Sequence, residues 1–158
     1  MARKFLVVVD DTNEMLKALH FAALRAKHTD GDLVLLYIMD APEYSHWLGV
    51  EAMMQEEQKE IAEAKLQEMA MKAKKITDKM PELLIREGEK AQTVMEVLAK
   101  DDSISILVLG ANTDSKTYKS QGPGPILSYL SQKGCTEIKV PYTVIPDSLS
   151  LEDIERMA

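Results

Sequence analysis

Carboxylates and glycines stand at the ends of the apolar runs in this sequence, and they are the residues with chemistry to offer. Phe5-Leu6-Val7-Val8-Val9 stops at Asp10-Asp11, and Leu33-Val34-Leu35-Leu36-Tyr37-Ile38-Met39 stops at Asp40. Leu83-Leu84-Ile85-Arg86-Glu87 leads into Gly88-Glu89, and Ile104 to Leu109 leads into Gly110. A further cluster, Gly122-Pro123-Gly124-Pro125, precedes Ile126 and Leu127. Glycines let a backbone approach a phosphate closely, and unpaired N–H groups at a helix start attract an anion. Other chemistry is sparse. His20, His28 and His46 share no i, i+4 spacing, so no metal site is expected. Cys135 is the sole cysteine, which removes any disulfide framework and any zinc site built on paired thiolates. It reads as a buried or idle thiol rather than a nucleophile. No Gly-x-Ser-x-Gly elbow, Walker loop or HExxH motif occurs, and no catalytic residue is expected.

The elements that position these residues alternate. Continuous apolar, β-branched runs without polar alternation suit strands buried on both faces of a parallel sheet. After Val9 the period becomes helical, with Met15, Leu19, Ala22 and Ala26, and Asp11 or Thr12 can cap the first turn. Asp30-Gly31-Asp32 ends that helix. A loop from Asp40 to about Gly49 holds Pro42 and Trp47. Strong helix formers then run from about Val50 to Met80, with Met54, Ile61, Met69, Ala73, Ile76 and Met80 on one expected buried face. The methionines at helical spacing read as core filler rather than a binding groove.

A third strand follows, then a helix carrying Ala91, Val94, Met95 and Leu98, then a fourth strand over Ile104 to Leu109. Pro125 suits the first turn of a helix, and Gly134 suits the position that ends it. Tyr142 to Ile145 reads as a fifth strand, and Ser150-Leu151-Glu152-Asp153 offers a capping box for a short terminal helix. The class is α/β with a mainly parallel sheet. In such open sheets ligands bind beyond the carboxyl ends of the strands, where strand order reverses. The expected organisation is one α/β domain over residues 1–146 and a C-terminal tail helix over 147–158.

Composition supports this reading. The chain has 158 residues, 46% of them hydrophobic and 28% charged, with a formal net charge of −7. That is enough for one domain with a sizeable core, and too little for two. No apolar run approaches the ~18 residues of a membrane span. The N-terminus lacks the apolar stretch of about 7–15 residues that a signal peptide needs. A cytoplasmic protein without membrane or nucleic-acid partners is expected. Lys72, Lys74, Lys75 and Lys79 are interleaved with acids and read as a solvated helix face, not a basic stripe.

Two families share parts of this pattern. The acidic pair after Val7-Val8-Val9 resembles the Mg²⁺-holding strand end of a phospho-accepting receiver domain. That family would need an aspartate where the third strand ends in Arg86-Glu87-Gly88, and a lysine after the fifth strand, where Pro146 stands instead. The long helix between the second and third strands is also foreign to it.

From Lys4 to Ile145 the sequence resembles the universal stress protein family. The carrying motifs are Val9-Asp10-Asp11-Thr12, Tyr37-Ile38-Met39-Asp40, Gly88-Glu89, Val108-Leu109-Gly110 and Val140-Pro141 followed by Tyr142 to Ile145. Each is weak alone; together they come in family order at family spacing. The resemblance implies an open, doubly wound, five-stranded parallel sheet in the order 3-2-1-4-5 with helices on both faces. It implies a stress-response regulatory or binding protein rather than an enzyme, with a weak ATP hydrolase as the alternative. It also implies a homodimer through the last strand and a protein partner it does not identify.

In the ATP-binding branch of that family, Gly-x-x-Gly, about nine residues, and Gly-Ser/Thr hold the phosphates. Gly110 matches the first glycine. Thr113 replaces the second, Gly124 matches the third, and Pro125 replaces the Ser/Thr ahead of Ile126. Asp10 aligns with the family's aspartate near adenine and ribose, and Ile38 with the residue against the base. Asp10, Ile38, Gly110, Thr113, Gly124 and Ile126 are therefore the candidate positions for ATP or AMP, with Mg²⁺ entering only alongside the nucleotide. Lys116 and Lys119 could bring compensating charge. Each candidate also admits a purely structural role: Asp10 as a helix cap or dipole partner, Gly110 as a tight turn, and Gly122 to Pro125 as a rigid turn and helix start.

Overall fold

The structure is a computed structural model that describes residues 3–41, 48–114, 119 and 122–158. Five strands, β1 (Lys4–Val9), β2 (Asp32–Met39), β3 (Glu82–Glu87), β4 (Ile104–Ala111) and β5 (Tyr142–Pro146), form one sheet in the order β3-β2-β1-β4-β5. Every pairing is parallel. Between them run α1 (Asn13–Thr29), α2 (Leu48–Thr77), α3 (Lys90–Lys100) and α4 (Pro125–Leu130), and α5 (Leu151–Met157) follows β5. Among the described residues, no helix is long and apolar enough to cross a membrane.

Strands β1 to β4 each feed two cores because successive side chains point to opposite faces, while the edge strand β5 feeds one through Ile145. Phe5, Val7 and Val9 join Leu33, Leu35, Val108 and Ile145 against α1, α2 and α5. Leu6 joins Val34, Leu36, Ile38, Leu107 and Leu109 against Val94 and Val97 of α3 and Leu130 of α4. Helices thus cover both faces of the central strands, and the apolar runs of β1, β2 and β4 lack alternation because neither of their faces lies open to water. The terminal helix belongs to the first of these cores: Ile154 is fully buried. Its capping box closes with Ser150 Oγ accepting from the Asp153 N–H at 3.0 Å and Asp153 accepting from the Ser150 N–H at 3.2 Å.

Three local expectations need correction. The buried stripe of α2 is Ala62, Leu66, Met69, Ala70 and Ala73, whereas Met54, Ile61 and Met80 are exposed. Among the described side chains of α2, burial begins at Ala62 and follows neighbouring positions, whereas residues 53–60 are all exposed. Consequently the methionines divide: Met15 and Met69 fill core, while Met53, Met54 and Met71 face water. Gly134 does not end α4, which stops at Leu130, but opens a short 3₁₀ turn. Its own requirement is packing: a Cβ there would lie 2.5 Å from the Tyr129 ring. Pro42 and Trp47 lie outside the described residues.

Gly110 is not a turn either. It lies inside β4, paired with Ile145, and the first turn of α1 crosses directly over it. A Cβ at this position would stand 2.2 Å from the Glu14 carbonyl oxygen, a backbone atom that cannot swing aside. Gly110→Ala should therefore cost about 1–3 kcal/mol, the usual range for overpacking. Urea unfolding of the two proteins checks this; equal midpoints would contradict it.

Candidate functional site

Strand order reverses between β1 and β4, and the carboxyl ends of both strands open into one cleft of about 820 Å³. Asp10 and Asp11 enter it from the end of β1, Ile38 and Asp40 from β2, Leu109 and Gly110 from β4, and Gly124 to Leu127 from the start of α4. Gln58 and Ile61 of α2 form part of its wall, which explains why an isoleucine in a core-like position is exposed.

Asp10 is held by its own chain. Its Oδ1 accepts from the Thr12 N–H at 2.9 Å and from the Thr12 hydroxyl. Thr12 Oγ1 in turn accepts from the Met15 N–H at 3.3 Å and caps α1. Asp10 is therefore a brace for the cap rather than the cap itself, and it remains half-buried at the cleft wall. Asp11 is exposed and lies 3.6 Å from Lys65 Nζ of α2. Glu89, which does not line the cleft, closes the start of α3 by accepting from the Ala91 and Gln92 N–H groups at 3.2 and 3.0 Å.

Of the six candidate positions, Asp10, Ile38, Gly110, Gly124 and Ile126 line this cleft. Thr113 is exposed on the segment after β4 and is not among the lining residues, although Asn112 and Asp114 beside it are. Gly124 has φ of +125°, a conformation other residues resist, and open space where a Cβ would stand. Its glycine is a backbone requirement and not a packing one. Gly124 makes no side-chain cap, Pro125 follows at the first helical position, and α4 extends for only six residues. Lys116 lies outside the described residues; Lys119 is exposed and is not among the lining residues.

The structure adds residues that strand-end motifs did not single out. Tyr37 lines the cleft, as do Glu14, Asp147 and Lys90. Asp147 follows β5 and donates its N–H to the Ala111 carbonyl at 2.9 Å, which ties the ends of β4 and β5 together. Only knowledge that β5 neighbours β4 could have marked it, because its sequence context is an ordinary Pro-Asp turn. Among the described residues no group of three or more His, Cys, Asp or Glu is arranged to hold a metal ion. A second, shallower hollow of about 430 Å³ lies against α3, at Gln92, Met95 and Tyr129.

Comparison with known proteins fits this geometry. The model of the universal stress protein family matches residues 1–118. The chain belongs to the universal stress protein family. No curated protein matches it in sequence. Among solved structures, the universal stress protein UspA from Lactobacillus plantarum superposes with a TM-score of 0.75 at 19% identity, covering 90% of this chain and 97% of that one. A universal stress protein family protein from Arabidopsis thaliana with AMP bound gives 0.64 at 16% identity, covering 91% of each chain. A universal stress protein in complex with cAMP gives 0.61 at 14% identity, covering 92% and 98%. At such identities the likeness is one of fold, and it agrees with the sheet order and the doubly wound arrangement.

Tyr37 reports on the electrostatics of this family member's cleft. Burial raises its pKa above the ordinary 10.0, and the negative charges of Asp11, Asp10 and Asp40 raise it further. Because the folded value exceeds the unfolded one, the neutral phenol stabilises the fold fully below pH ~10, and that contribution is lost as pH rises through the folded value. Ultraviolet titration of phenolate should show a late component, shared with Tyr129, that Tyr37→Phe reduces and that Asp11→Asn shifts in part back towards 10.0. An unchanged titration curve in both variants would contradict this.

Proposed function

We propose that this protein is a cytoplasmic stress-response regulatory module that binds an adenine nucleotide weakly and passes the bound state to a protein partner rather than performing a reaction. The observation that carries this is the convergence of Asp10, Ile38, Gly110, Gly124 and Ile126 on one cleft at the sheet's switch point. Ile38, at the end of β2, offers an apolar surface for a base, and the Asp10 carboxylate can accept from a ribose hydroxyl. The AMP and cAMP complexes of fold relatives support adenine as the base. Mg²⁺ would enter only with the nucleotide's phosphates.

The phosphate end is the weaker half. Pro125 supplies neither a hydroxyl nor an N–H. Each lost contact to a charged phosphate is worth about 1.5–3 kcal/mol, and each ~1.4 kcal/mol is a factor of ten in affinity. Two such losses carry a micromolar site towards millimolar.

The protein also pairs with a second copy through β5. This edge strand presents Tyr142 and Val144 on one face, 37% and 36% exposed, beside unpaired backbone groups. Pro141 and Pro146 limit the length of the pairing. Sedimentation at micromolar concentration should show a dimer that Val144→Lys dissociates; a monomer throughout would contradict the pairing.

Titration calorimetry with ATP and Mg²⁺ tests the binding. The expected dissociation constant is roughly 0.1–1 mM, tightened about a hundredfold or more by Pro125→Ser, which restores both contacts, and lost in Ile38→Arg. A constant of about 10 µM or tighter would contradict the weakened phosphate end. Absence of heat in both the natural protein and Pro125→Ser would contradict adenine nucleotide binding altogether.

A further inference from the structure

The charges around the cleft carry one more step, which rests on the cleft holding an adenine ligand. Asp10, Asp11, Glu14, Asp40, Asp114 and Asp147 line it, and among the described lining residues Lys90 is the one cation. These carboxylates come from four separate parts of the chain: the β1–α1 turn, the end of β2, the segment after β4 and the end of β5. Lys65 approaches Asp11 from α2. Glu14, Asp40 and Asp147 form no ion pair among the described residues.

We propose that the cleft selects adenine ligands by charge, taking the uncharged nucleoside in preference to the metal-free triphosphate. A base and ribose need only an apolar wall and hydrogen-bond partners, which Ile38, Leu109 and Asp10 provide. A phosphate chain extending from the ribose enters a cleft lined by these carboxylates, and like charges repel more strongly in a partly desolvated site than in water. Among the described residues the usual compensation is sparse: Lys90 is the one lining cation, and Pro125 removes an N–H donor at the start of α4. The raised pKa of Tyr37 agrees in part: burial is its leading cause, and Asp11, Asp10 and Asp40 add to it by opposing a negative charge there. Mg²⁺ lessens the repulsion by cancelling two charges on ATP, so selection is strongest when divalent cation is scarce.

The experiment is a calorimetric series with adenosine, AMP and ATP on the full chain in a chelator-containing buffer at low salt. Affinity should fall with each added phosphate charge, and ATP should bind at least tenfold more weakly than adenosine. Raising salt towards 0.5 M should narrow the ratio, because the Debye length shrinks from about 10 Å at 0.1 M as salt increases. The double variant Asp40→Asn, Asp147→Asn should also narrow it, with its thermal unfolding recorded to confirm an intact fold. Should that variant unfold, the salt dependence of the natural protein remains decisive. A ratio below tenfold, or ATP tighter than adenosine, would overturn charge selection while leaving adenine binding intact. Failure of all three ligands to bind, with Mg²⁺ or without, would overturn the adenine site itself and this selection with it.

Discussion

The first turn of α1 lies so close over β4 that residue 110 has no room for a side chain. That single contact sets the relation between the ends of β1 and β4, the two strands at which the sheet order reverses. Because the Glu14 carbonyl would meet any Cβ at 2.2 Å, the β1–α1 turn is seated directly on the neighbouring strand. Asp10 and Thr12 then lock the turn from within, the carboxylate bracing the threonine that caps the helix. The cleft floor is thus built from backbone and short side chains with little freedom to adapt. Its walls come from elements farther away, α2 on one side and α4 on the other.

The division of labour within the cleft follows from this construction. Its inner end is lined by strand residues that belong equally to the core, among them Ile38 and Leu109. Its outer end is formed by polar residues that follow the strands, and these are mostly carboxylates. On the proposed reading, an adenine-ribose unit would rest at the inner end and phosphates would pass the outer one, so that binding energy would come from the uncharged part of the ligand. The protein's acidity of −7 is partly concentrated where a nucleotide would carry its own negative charge.

Much of the fold was legible because burial on both faces leaves continuous apolar runs. Val7 and Leu35 face one helical layer while Leu6 and Leu36 face the other, and nothing in either strand needs to be polar. The ends of those runs pointed to Asp10 and Gly110, and the family resemblance to Ile38; all three line the cleft. What escaped was long-range. Gly110 looks like a turn until α1 is seen above it. Asp147 looks like a turn residue until β5 is placed beside β4. Ile61 looks like core until it is seen in the cleft wall, and Met53 and Met54 are exposed on the same helix. Gly134 fits a helix stop by position, but its real constraint is the Tyr129 ring. In each case local spacing is the same under both readings, and only tertiary contact separates them.

The central claim is that the base and ribose of an adenine ligand rest at the switch point, against the ends of β1, β2 and β4. Amide chemical-shift mapping by NMR during addition of adenosine tests this most directly. The account predicts saturable shifts at Asp10, Ile38 and Gly110, with Gln92 and Tyr129 in the shallower hollow unmoved. Shifts confined to Gln92, Met95 and Tyr129, or none at the three strand ends at saturating ligand, would contradict it.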